Sequence, residues 1–184
     1  MQDAPENKLD KNGNAKKFTR DLDSDWTVKT DEPHYGIKEH ASVDTRYGFV
    51  LCTHVTPASH QDSKYLPLVV TGSMHTPEKS NKVHADKGYF GEPNRSYLAV
   101  NNIKDGIMRK DTSNAKLTET EINRNKILSK SRYVVRQHFG ISCLYENGDR
   151  ARFNLLARNA VDFMVRQFEY NFRKGAKIRN SIMI

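Results

Sequence analysis

The chain has 184 residues, 30 Lys plus Arg against 22 Asp plus Glu, and a formal net charge of +8. Hydrophobic residues make up 36% and the mean hydropathy is −0.78, which suits one domain with a thin core. No apolar run reaches the ~18 residues of a membrane span, and no signal-peptide core follows Met1, so membrane and secreted classes are excluded. Two distant cysteines, Cys52 and Cys143, exclude a disulfide framework and any Cys-rich zinc module, and make a reducing cytosol the expectation. The basic excess favours a polyanionic partner without requiring one.

Residues 1–24 are polar, rich in Asn, Lys and Asp, and read as a flexible leader, with order beginning near Trp26. Residues 35–44 and 49–56 are two β-rich runs flanking a Gly-containing turn, a hairpin whose second strand Pro57 stops for want of an N–H. Residues 60–66 read as one or two helical turns closed by Pro67, with a loop over 71–77. A short strand over 82–88 ends in Asp-Lys-Gly, a helix spans 93–101 with Pro93 in its first turn, and a strand spans 106–110.

The segment Thr118-Glu-Thr-Glu121 is a capping box, and the helix it opens should reach Phe139, bury Ile127, Leu128, Val134, Val135 and Phe139, and end at Gly140. A last helix over 154–174 carries Ala160, Met164, Phe168 and Phe172 in steps of four as its core face, with Gly175 as its stop. The order is mixed α/β, a sheet with helices packed on its faces.

Asp86 stands at the C-terminal end of a short strand, where open α/β sheets place ligand sites. A carboxylate there either coordinates Mg²⁺, which takes hard oxygen ligands, or simply makes an Asp-Lys-Gly turn. His84 alternates to the same face as Asp86 and is either a partner ligand or a packed strand residue. Lys126, Lys130, Arg132 and Arg136 form two i,i+4 pairs in a stretch that holds no acid between Arg124 and Arg136. With Arg109 and Lys110 on the preceding strand, and Lys116 and Arg124 nearby, they form either a phosphate-contacting stripe or an ordinary solvated face.

Several segments, taken in order, resemble bacterial DDE transposases of the insertion-sequence-five branch. They are Asp25-Trp-Thr-Val-Lys29, Tyr35-Gly-Ile-Lys-Glu-His40, Val55-Thr-Pro-Ala-Ser59 with Asp62-Ser63, Val83-His-Ala-Asp-Lys-Gly-Tyr89, Lys104-Asp-Gly-Ile-Met-Arg-Lys110, Asn125-Lys-Ile-Leu-Ser-Lys130 and Arg132-Tyr-Val-Val135. The resemblance implies a ribonuclease-H-like mixed sheet with flanking helices over residues 25–178, with 1–24 as leader and 179–184 as tail. It implies two Asp and one Glu holding two Mg²⁺ ions that hydrolyse and transfer phosphodiesters at insertion-sequence ends and into target DNA.

Carried over residue by residue, Asp86 matches the second catalytic Asp and a metal ligand. The first Asp belongs on an apolar strand upstream; here Asp3 is followed by Ala4 and then Pro-Glu-Asn-Lys, so the first strand is missing. The Glu position, between Val135 and Gln137, holds Arg136, and the basic residue expected seven positions on is Cys143. Asp44, Glu146 and Asp149 are the carboxylates left as substitutes, the last two expected in a loop. The expectation is a truncated, catalytically impaired transposase-family copy that keeps DNA binding through Arg109, Lys110, Lys126, Lys130, Arg132 and Arg136. It would act in the bacterial cytoplasm with the nucleoid, as a possible homo-oligomer; the alternative is a non-catalytic DNA-binding or interaction protein that kept the fold.

Overall fold

The computed structural model describes residues 12–13, 21–29, 31–75, 81–113 and 115–182. Three antiparallel strands open it: β1 (Asp25–Lys29), β2 (Glu32–Val43) and β3 (Val50–Pro57). The twelve-residue β2 is shared, its first half pairing with β1 and its second half with β3. The β2–β3 hairpin is the expected one, whereas β1 is an addition that hydrophobic patterning does not signal, because its Trp26 and Val28 stay exposed instead of entering a core. Asp31, with φ 65°, turns β1 into β2. Asp44 shapes the next turn by accepting the amides of Arg46 and Tyr47 on its carboxylate. Gly48 there has φ 77°, and a Cβ on it would also press within 2.9 Å of the Lys174 side chain.

A short 3-10 turn (Asp62–Tyr65) leads into α1 (Leu66–Ser73), then β4 (Lys82–Ala85), α2 (Glu92–Val100) and β5 (Lys104–Ile107). Pro67 begins α1 instead of closing the helical turns before it, since a first-turn residue needs no N–H bond. Strands β4 and β5 are parallel and joined through α2, a compact βαβ unit. Gly106 is required there, because a Cβ would come within 2.4 Å of the Val83 carbonyl oxygen across the ladder. Leu66, Val70, Ala85, Leu98, Ile103 and Ile107 form the buried core of this unit.

The described strands therefore fall into two sheets rather than one. Helices α3 (Glu119–Ser131), α4 (Tyr133–Glu146) and α5 (Leu156–Ile182) complete a mixed α/β fold. The capping box forms as expected, with the Thr118 hydroxyl accepting the Glu121 amide and the Glu121 carboxylate accepting the Thr118 amide. The helix it opens does not run unbroken to Phe139: it stops at Ser131, and α4 restarts after Arg132 and passes through Gly140. Asn147, in the left-handed conformation, ends α4 instead. Of the expected core face, Leu128 and Val134 are buried, whereas Ile127 is exposed.

The larger correction concerns α5. Met164, Phe168 and Phe172 face solvent, and the buried face is Asn159, Phe163, Arg166 and Tyr170. Polar anchoring decides this rotation. The Asn171 side chain accepts the Val50 amide and donates to the Val50 carbonyl, while Gln167 donates to the same carbonyl and accepts the Thr53 hydroxyl. Gly175 does not stop the helix; it packs near Phe49, and α5 continues past 178 to Ile182. At the other end, Asp21 and Asp23 accept the Leu155 and Leu156 amides, so residues 21–24 are tied to α5 although they belong to the expected leader.

Candidate functional site

Asp86 follows β4 directly and caps the 3-10 turn Lys87–Tyr89. One carboxylate oxygen accepts the Lys87 amide, and the other accepts the Arg132 guanidinium at 2.7 Å. Arg132 sits at the break between α3 and α4, its side chain only 21% exposed, while that of Asp86 is 47% exposed. The break thus places a cation directly on Asp86. His84 does not join Asp86 as a ligand pair: its Nδ1 lies 2.7 Å from the Ser131 hydroxyl, on the last turn of α3. Burial, with Lys82 and Arg124 nearby, holds the His84 pKa below its ordinary value, favouring the neutral ring.

Tyr89 forms the floor of this corner. Burial first, and then the charges of Asp62 and Asp86, push its hydroxyl up to about 12. Asp62 is thus a second carboxylate acting on the same ring, and sequence reasoning singled it out only as part of a resemblance segment. It pairs with Lys38 at 3.2 Å. His40 is buried beside them, its Nε2 3.0 Å from the Thr56 hydroxyl and its Nδ1 3.5 Å from the Tyr89 hydroxyl. Burial holds the His40 pKa below its ordinary value.

The donors present do not assemble a two-metal centre. Among the described residues no group of three His, Cys, Asp or Glu side chains is placed to hold a metal ion. Both oxygens of Asp86 are engaged, and Arg136, which stands where the resemblance expects the Glu, is exposed. Asp3 lies outside the described residues. Asp44 is committed to its turn, Glu146 is buried in the last turn of α4 rather than in a loop, and Asp149 is exposed beyond it. Two divalent ions would bring four positive charges, and a carboxylate already paired with Arg132 does not balance them.

The basic residues divide into two groups. Arg109 is turned inward, 17% exposed, with its Nη2 3.0 Å from Asp105. Arg124 donates to the carbonyls of Asp105 and Ile107, so it ties α3 to β5. Lys110, Lys126, Lys130 and Arg136 are exposed and make no ion pair among the described residues. Apart from this corner, a cleft of about 510 Å³ opens between Asp23, Asp25, Pro57, His60 and Leu156, and Asp86 does not line it.

Residues 5–172 match the family profile described as the transposase DDE domain, so the chain belongs to the DDE transposase family. It is similar to the transposase for insertion sequence element IS1106 of Neisseria meningitidis serogroup B, with 41% identity over 122 residues. That match covers 66% of this chain and 41% of the relative. The chain therefore aligns with less than half the length of this curated relative. No solved structure matches it. The family generally uses a divalent metal such as Mg²⁺, and among the described residues no helix is long and apolar enough to cross a membrane.

Proposed function

We propose that this chain binds DNA as a catalytically impaired member of its family, acting in the bacterial cytoplasm with the nucleoid. Lys110, Lys126, Lys130 and Arg136 contact phosphates, while Arg109 and Arg132 hold the scaffold that presents them. The observation that carries this reading is the Arg132–Asp86 ion pair: a guanidinium holds the carboxylate that would face the metal. The ribonuclease-H-like reading is supported by an antiparallel β1–β3 unit and a parallel β4–β5 unit. Joining them into one mixed sheet needs a strand between β2 and β4, and no described residue supplies it.

The test combines supercoiled-plasmid nicking in Mg²⁺ or Mn²⁺ with gel shifts at low and high salt. The expected result is retarded DNA at low salt, release at high salt and no nicking. Each phosphate contact removed, as in Lys130→Ala, should lower the slope of log K against log salt by about 0.9. Metal-dependent nicking that disappears in Asp86→Ala would overturn the impaired reading. A second reading, an active nuclease with a rebuilt site, is favoured by Asp62 and Asp86 acting on the same Tyr89 ring. In that case Asp62→Ala should abolish nicking as completely as Asp86→Ala.

A further inference from the structure

The outward face of α5 is apolar for most of its length. Val161, Met164, Val165, Phe168 and Phe172 are each more than half exposed, and the Phe168 and Phe172 rings touch at 5.2 Å. These five side chains expose on the order of 500 Å² of mostly apolar surface, most of the ~800 Å² that one partner buries in a stable interface. A patch of about this size matches the largest that typical monomers expose, and such patches are often functional.

The order of residues along the stripe specifies what covers it. Ala157, Val161, Val165, Phe168, Phe172 and Ala176 follow one another at spacings of four, four, three, four and four. That series reads identically from either end, so a two-fold axis between residues 166 and 167 maps the stripe onto itself. In an antiparallel pair, Val165 meets the partner's Phe168, Val161 meets the partner's Phe172, and Ala157 meets the partner's Ala176. Every inner layer then holds one small and one large side chain, the alternation that interdigitates well, and small alanines let the ends approach. A parallel pair would stack Phe on Phe and Val on Val. Pairing over this length needs the shallow crossing of about 20° found in antiparallel helix bundles. Gln167 and Asn171 border the stripe beside Val165 and Phe168, but their side chains are already engaged with Val50 and Thr53, so pairing leaves those anchors in place.

We propose that α5 is a self-association surface, through which two copies of this chain pair antiparallel about a two-fold axis at residues 166–167. The contact is isologous, as closed homodimers require. It is independent of Asp86 and holds whether or not the site cleaves DNA. Because the contact is apolar and each copy carries +8, raising the salt concentration should strengthen it. DNA binding should respond in the opposite sense.

The full chain in sedimentation equilibrium should show a dimer mass over a concentration series. Phe168→Glu introduces two carboxylates beside the axis and should weaken dimerisation by about a hundredfold. Circular dichroism should remain unchanged, since residue 168 is on the surface, and so should Tm at concentrations too low for pairing. The second measurement uses Cys52→Ser and Cys143→Ser chains carrying either Val165→Cys or Phe168→Cys. Under oxidation, an equimolar mixture should cross-link 165 to 168 well above either single-variant preparation. Cross-linking mainly of like with like would overturn the antiparallel arrangement. A monomer at all concentrations would overturn the proposal: with an unreactive 168 thiol the cover is another segment of the same chain, and with a reactive one the stripe has no cover.

Discussion

Two buried regions of this molecule are built on opposite principles. The βαβ unit closes over Leu66, Val70, Leu98, Ile103 and Ile107, all apolar and all nearly inaccessible. The seam between α4 and α5 instead buries His138, Ser142, Glu146, Arg166 and Tyr170. His138 lies 3.5 Å from the buried Glu39 and 4.9 Å, ring to ring, from Tyr170. The Arg166 guanidinium lies 2.5 Å from Asp162 without hydrogen-bond geometry, and its other nitrogens have no partner. In the first region, stability rests on volume and shape. In the second it rests on buried polar groups and the Asp162–Arg166 pair, which are costly to bury and costlier to separate.

Variants that truncate a side chain in each region test this contrast. Leu98→Ala, at a fully buried position, should cost about 3–4 kcal/mol in denaturant unfolding, a transfer loss plus a cavity. Asp162→Ala should cost about 3 kcal/mol, because it leaves the Arg166 charge buried and unopposed. The double change Asp162→Leu with Arg166→Met should recover most of that loss. If it does not, the seam contributes specific geometry and the contrast fails.

The next test is pH. His40 and His84 both have pKa values below the ordinary 6.5, so the unfolded chain takes up their protons first as pH falls. Stability should be fully present above pH 6.5 and decline as the pH drops from there toward the folded pKa values. His40→Gln should flatten that part of the profile in a series of urea melts. The smallest effect belongs to neither region: Thr118→Ala removes the cap of α3 and should cost about 1 kcal/mol.

The strands and α2 of the apolar unit were legible because their signals are local, whereas α1, which supplies Leu66 and Val70, was hidden by Pro67, which reads as the end of a helix and stands in the first turn of one. Alternating strand residues, a proline in the first turn of α2 and the capping box each place their element without reference to the rest of the chain. The polar seam was not legible, because a step-of-four apolar series on α5 looks like a core face and is the exposed one. Asn171 and Gln167 fix the rotation of that helix through bonds to Val50 and Thr53, more than a hundred residues away. The site divides in the same way. Asp86 stands out at its strand end, but its partner Arg132 lies 46 residues further on. That arginine reaches Asp86 because α3 and α4 break there, and periodicity alone read the segment as one continuous helix.

The ties between residues 21–24 and α5 also set an order of events during synthesis. Leu155 and Leu156 donate to Asp21 and Asp23 across 134 and 133 positions, and Asn171 reaches Val50 across 121. The βαβ unit, by contrast, closes within residues 66–107. On the ribosome this unit can settle as soon as it emerges, whereas β1–β3 must wait, with their α5-facing side bare, until the last helix leaves the exit tunnel. A stalled or clipped chain lacking α5 would release that sheet uncovered, making it the segment on which chaperones and proteases act first.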